Sequence, residues 1–195
     1  MKGLGVVLVI LFVAELALIL LSWILSATMM EGVRSLLSSE GIRWFVGGFA
    51  NMQTSHLLVW LILIMMALGA FQRSGVVTFL SSKEHTYREK VALRVALVFL
   101  VIYLGVIALL TLPPHAILLS VTGSLFHSPF SRSLVPLTTF GIILFSVTFG
   151  MMSGRLNTLS DILDALSFGI SKGAPLFILY ILLMQFYQSL CFVFG

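Results

Sequence analysis

The sequence predicts an all-α integral membrane protein of five transmembrane helices plus two interfacial amphipathic helices, arranged as one membrane domain over residues 1–195. Three observations carry this reading. Of 195 residues, 59% are hydrophobic and only 9% are charged. An average soluble domain carries roughly 25% charged residues, so this chain has too little polar surface for a soluble fold. Five apolar stretches are long enough to cross roughly 30 Å of hydrocarbon at about 1.5 Å per residue. They are continuously apolar rather than alternating, which excludes the strands of a lipid-facing barrel and leaves helices.

The first span covers residues 4–25. Lys2 before an apolar run has the look of a secretory signal. The run exceeds the roughly 7 to 15 residues of a signal core and no small-x-small cleavage site follows, so it reads as a retained span. Segment 30–51 mixes Val33, Leu36, Leu37, Ile42, Trp44, Phe45 and Phe49 with Arg34, Glu40 and Arg43. That mixture suits a helix lying in the interface, and Trp23 and Trp44 suit the headgroup level. The second span, 55–71, is the shortest. Residues 72–94, which contain S-S-K-E-H-T-Y-R-E-K, read as a solvated loop.

The third span, 91–112, stops at Leu112-Pro113-Pro114, and Pro129 and Pro136 flank the start of the fourth, 133–152. In 157–171, Ser160 precedes Asp161, and Leu159, Ile162, Leu163, Leu166 and Ile170 recur at helical spacing. These are the marks of a short capped amphipathic helix. Pro175 falls in the first turn of the last span, 174–194.

Charge sets the orientation. With the N-terminus in the cytoplasm, Lys2, Arg73, Lys83, Arg88, Lys90, Arg94, Arg155 and Lys172 lie inside, and Arg34, Arg43 and Arg132 outside, which accounts for all 11 basic residues. Basic residues concentrate on the cytoplasmic side, so the C-terminus is outside. A net charge of +4 on so uncharged a chain is charge sorting across a bilayer, and no nucleic-acid partner is expected.

No catalytic motif occurs, and the reading is not an enzyme. Cys191 is the only cysteine, so there is no intrachain disulfide and no Cys-based metal site. His56, His85, His115 and His127 are scattered, and no metal site or cofactor is expected. Glu15 is the one ionisable residue near the middle of a span. It is either a proton or cation site, or a carboxyl that is protonated or paired with a polar group of a neighbouring helix. Gln185 and Gln188, with Tyr180 and Tyr187 nearby, are the second polar cluster; Gln185 either orients a substrate or ties two helices together. Ser146, Gly150 and Gly154, spaced by four, make a close-packing face within the chain or toward another copy.

The connections resemble those of the AbgT family, the p-aminobenzoyl-glutamate transporters. The matching blocks are S-L-L-S-S-E-G-I-R-W-F at 35–45 followed by Asn51 and Q-R-S-G at 72–75; then L-P-P-H-A-I-L at 112–118, T-G-S-L at 122–125, S-P-F at 128–130 and V-P-L at 135–137; then G-M-M-S-G-R-L at 150–156, Asp161, A-P-L-F-I-L at 174–179 and Q-F at 185–186. The resemblance implies a multi-pass protein of the bacterial inner membrane that moves p-aminobenzoyl-glutamate-like organic anions, coupled to protons or sodium. Some relatives are linked to export of antimetabolite drugs, and relatives are dimers whose re-entrant hairpins form the substrate site. This chain reads as a shortened member that lacks S-D-A-G-Y and the Pro- and Asn-rich hairpin. It is therefore expected to work as a homo-oligomer or with a partner membrane chain, with Glu15, Gln185, Asn51 and Asp161 as candidate substrate or ion residues. The alternative is a non-transporting scaffold or interaction subunit that keeps the frame helices and packs through Ser146, Gly150 and Gly154.

Overall fold

A computed structural model describes residues 2–28, 32–82, 84–111 and 129–195. Among these residues the secondary structure is seven helices and no strand: α1 (Lys2–Ala27), α2 (Ser39–Gln53), α3 (His56–Arg73), α4 (Val76–Ser81), α5 (Tyr87–Thr111), α6 (Pro129–Ser153) and α7 (Leu159–Phe194). α1, α3, α5, α6 and α7 are long and apolar enough to cross a membrane. The all-helical, five-span class is therefore as the composition requires.

Several boundaries differ from the sequence reading: α2 starts nine residues into the segment expected at 30–51, and α6 starts four residues before the expected 133. The amphipathic segment at 157–171 and the last span are one continuous helix, α7, that runs through Pro175. Proline there removes a single bond, to the carbonyl of Ser171, from a 36-residue ladder. The loop after α3 contains α4, because Gly75 turns the chain at φ +86° and, of the V-V-T-F-L that follows, Val76 is buried and Phe79 packs against the same cluster, while Val77 and Leu80 stay exposed. The third span begins four residues early at Tyr87, where the Glu89 carboxylate accepts the Thr86 N–H at 3.1 Å. T-Y-R-E is a Thr-x-x-Glu capping box, which ends the solvated stretch sooner than hydropathy alone suggests.

The chain forms two compact units. The first comprises Met1–Val59 and Ala174–Gly195, centred on buried Leu18, Leu36 and Val193. Here the extended stretch before α2 serves the end of α7. The Arg34 N–H donates to the carbonyl of Val193 at 3.0 Å, satisfying one of the carbonyls that a helix C-terminus leaves free. Trp44 stacks on Phe192 with centroids 4.4 Å apart. Ser22, wholly buried on α1, accepts the Leu36 N–H at 3.1 Å. α2 starts at Ser38, whose hydroxyl accepts the Gly41 N–H at 3.0 Å. A Cβ at Gly41 would stand 2.5 Å from the carbonyl oxygens of Ser35 and Leu36, so the turn into α2 requires glycine.

The second unit, Trp60–Gly173, is built on the α5/α6 hairpin. The helices run antiparallel: Arg88 Nε donates to the Met152 carbonyl at 3.3 Å near one end, and Tyr103 OH to the Leu137 carbonyl at 2.8 Å near the other. Val76, Ala92, Ala96 and Phe149 are buried between α4, α5 and α6, with Phe71, Phe79, Leu93 and Phe145 around them. Arg155 holds the same end together through Glu89 at 3.7 Å and the Thr78 hydroxyl at 3.4 Å.

Within this unit α3 and α7 approach to backbone contact. A Cβ on Gly69 would lie 2.5 Å from the Ala165 oxygen and the Gly169 nitrogen, and one on Gly169 would collide with the Met65 carbonyl. Small residues permit such approach between membrane helices, where dispersion contacts rather than water exclusion drive packing.

Candidate functional site

Residues four apart share one face of a helix. On α7 the row Gln185, Ser189, Val193 turns into the first unit: Gln185 is 5% exposed, and Ser189 and Val193 are fully buried. Opposite it, α1 presents Glu15, Leu18 and Ser22 at intervals of three and four.

The Ser189 hydroxyl donates to Glu15 Oε1 at 2.6 Å. Glu15 Oε2 is buried and has no hydrogen-bond partner. One turn before Ser189, about 6 Å along the axis, both amide atoms of Gln185 are likewise buried and unpartnered. A further turn back, Gln53 Nε2 donates to the Ile181 carbonyl at 3.3 Å while its Oε1 is buried without a partner. The Tyr180 hydroxyl donates to the Gln53 carbonyl at 3.1 Å and meets the Ser55 hydroxyl at 2.5 Å. A phenol has one hydrogen, so Ser55 is the donor in the second contact.

A polar column thus runs along α7 from Tyr180 to Ser189, with four atoms that no protein group satisfies. Native interiors pair nearly all such atoms, and each left unpaired costs on the order of 1–3 kcal/mol. Clusters of this kind mark places where water, an ion or a polar substrate binds. The chemistry of the two ends differs. The carboxylate of Glu15 attracts a proton or a cation; the amides of Gln185 and Gln53 both donate and accept, as recognition of an amide or carboxyl group requires.

The model of the AbgT putative transporter family matches residues 63–192. The chain belongs to the AbgT family. Its role is membrane transport, and it is a multi-pass membrane protein. No curated protein and no solved structure matches it. Within the AbgT match fall the Q-R-S-G stretch, the blocks from residue 112 onward, and Tyr180, Gln185 and Ser189 of the column; the block at 35–45, Glu15, Gln53 and Ser55 precede it.

The other sequence-derived candidates in this AbgT chain stand apart from the column. Asn51 is exposed on α2, and its carbonyl accepts the Thr54 N–H at 3.2 Å where that helix ends. Asp161 caps α7: its Oδ2 accepts the N–H groups of Asn157 and Thr158, both at 2.9 Å, and its own N–H donates to the Thr158 hydroxyl at 3.2 Å. Thr158, not Ser160, is therefore the N-cap, because only its hydroxyl meets the third residue of the helix. His115 and His127, with all of residues 112–128, lie outside the described residues.

The row Ser146, Gly150, Gly154 divides by role. Ser146 and Gly150 are buried inside the second unit, and a Cβ on Gly150 would meet the Leu156 side chain at 2.5 Å and Ser74 Cβ at 3.2 Å. Gly154 lies just past the end of α6 at φ +80°, where the N–H groups of Arg155 and Leu156 return to the Gly150 carbonyl at 2.9 and 3.0 Å. This is the left-handed turn that ends many helices and that glycine adopts without strain.

Proposed function

We propose that this AbgT chain carries p-aminobenzoyl-glutamate-like organic anions across the bacterial inner membrane, its N-terminus cytoplasmic and its C-terminus outside. The observation that carries the reading is the set of buried, unpartnered polar atoms of Glu15, Gln185 and Gln53 along α7. A carboxylate beside an anionic substrate would repel it, so Glu15 binds the coupling ion, a proton or sodium, whose charge cancels its own. The amides of Gln185 and Gln53 then face the polar groups of the substrate. Five spans enclose little volume for a path, which favours a homo-oligomer or a partner membrane chain that completes it.

The test is uptake of labelled p-aminobenzoyl-glutamate into vesicles reconstituted with the purified protein, under an imposed pH gradient or an imposed sodium gradient. Uptake faster than in empty vesicles under one gradient, and lost in Glu15→Gln, is the expected result. Uptake equal to that of empty vesicles under both gradients sinks the reading.

A further inference from the structure

We propose that Arg73, Phe168 and Lys172 form a seat for the phosphodiester of one anionic phospholipid at the end of the second unit where α3 finishes. The Arg73 guanidinium lies 4.5 Å from the centroid of the Phe168 ring and the Lys172 ammonium 4.6 Å from the same centroid. The two cations therefore stand no more than about 9 Å apart. A ring face attracts one cation electrostatically. A second like charge at the same ring adds repulsion, which an anion held between the two relieves. Among the described residues no carboxylate supplies that anion: the one ion pair there is Arg155 with Glu89. Asp164, one turn before Phe168, is exposed and pairs with neither cation.

The backbone fixes this arrangement. The close approach of α3 and α7 at Gly69 and Gly169 places Arg73, one turn beyond Gly69, against Phe168, which directly precedes Gly169. Lys172 is one turn beyond Phe168, and helical side chains lean toward the N-terminus, which carries its ammonium back over the ring. Arg73 and Lys172 are both exposed.

The level in the membrane selects the ligand. α7 has 36 residues, about 54 Å of helix against a core of about 30 Å. With the span at 174–194, Phe168 and Lys172 fall at the headgroups. Arg88 and Arg155 lie at the ends of α5 and α6 that close the same unit. Basic residues at that level attract anionic lipid at about 1 kcal/mol each, so losing two weakens retention about thirtyfold.

The experiment is native mass spectrometry of the full chain released from bilayer discs of phosphatidylcholine with a minor share of phosphatidylglycerol. The expected result is one retained phosphatidylglycerol per chain. Retention should fall about thirtyfold in Arg73→Gln/Lys172→Gln and stay unchanged in Lys90→Gln/Arg94→Gln, which loses the same charge elsewhere. Phe168→Leu, which keeps both cations, should also weaken retention. Circular dichroism and the elution profile verify folding; if the first double variant unfolds, Phe168→Leu alone decides. Equal loss in the two double variants, equal retention of phosphatidylcholine, full retention in Phe168→Leu, or release of the lipid by millimolar inorganic phosphate would each overturn the proposal.

Discussion

Ser189 holds Glu15 by a single hydrogen bond of 2.6 Å, from its hydroxyl to Oε1, across 174 positions of chain. The bond leaves Oε2 buried and free. A carboxyl fixed at one oxygen and open at the other can load and release a cation without losing its place, which a fully paired one cannot do.

Replacing Ser189 by Ala removes that single fastening. A hydrogen bond to a charged group is worth about 1.5–3 kcal/mol, so initial transport rates should fall roughly tenfold or more. Serine to threonine keeps the hydroxyl and should retain more of the rate. Vesicle uptake checks both; a Ser189→Ala chain that transports at the parent rate would separate the hydrogen bond from function.

Gly169→Ala should be among the most damaging conservative changes in the chain. Its Cβ would run into the Met65 carbonyl, a backbone atom that cannot swing aside, at the point where α3 meets α7. Overpacking of this kind costs about 1–3 kcal/mol, which thermal unfolding in detergent would register as a lower midpoint. Gly47→Ala, with nothing within 4 Å of its Cβ, is the matched control and should not be destabilised.

How much of this was legible in the sequence depends on range. The five long apolar helices follow from composition over windows of about 20 residues, but their ends do not: α5 starts at Tyr87, α6 at Pro129, and α7 runs on from Leu159. Glu15 and Gln185 are visible because each is polar in an apolar run. Ser189 is not, since serine is common in membrane helices; only its spacing of four from Gln185 puts it on the same face. The pairing of α1 with α7, and of Gln53 and Ser55 with Tyr180, is tertiary and leaves no local trace. The glycines mislead for the same reason: Ser146, Gly150 and Gly154 form a regular row, whereas the backbone-to-backbone crossing joins Gly69 and Gly169, 100 positions apart. Asp161 is a candidate only through its place in the AbgT-like blocks, and its hydrogen bonds make it part of the cap of α7.

Gly150→Leu separates packing within the chain from association between chains. The new side chain would displace Leu156 and press on Ser74, so the expected outcome is a fall in thermal stability of about 1–3 kcal/mol with the oligomeric state of the folded fraction unchanged. Gly154→Ala should cost less, about 1 kcal/mol for a non-glycine residue in a left-handed turn. Light scattering coupled to size exclusion reads the first outcome and thermal unfolding the second. A Gly150→Leu protein that stays as stable as the parent but dissociates would place this row between copies.

Gln185→Leu should move stability and transport in opposite directions. Gln185 is 5% exposed and neither amide atom has a hydrogen-bond partner, so the native fold carries the cost of burying it, about 1–3 kcal/mol. Leucine is close in volume and buries no polar atom. The midpoint of thermal unfolding should therefore rise, as happens when a functional group held against stability is removed. Transport should fall at least tenfold, because a polar substrate would lose the group that receives it. Gln185→Asn, which keeps the amide but withdraws it by one methylene, should give intermediate transport without the gain in stability. A Gln185→Leu chain less stable than the parent would mean that the amide is satisfied in the membrane by a helix–helix contact, and the column would then be structural.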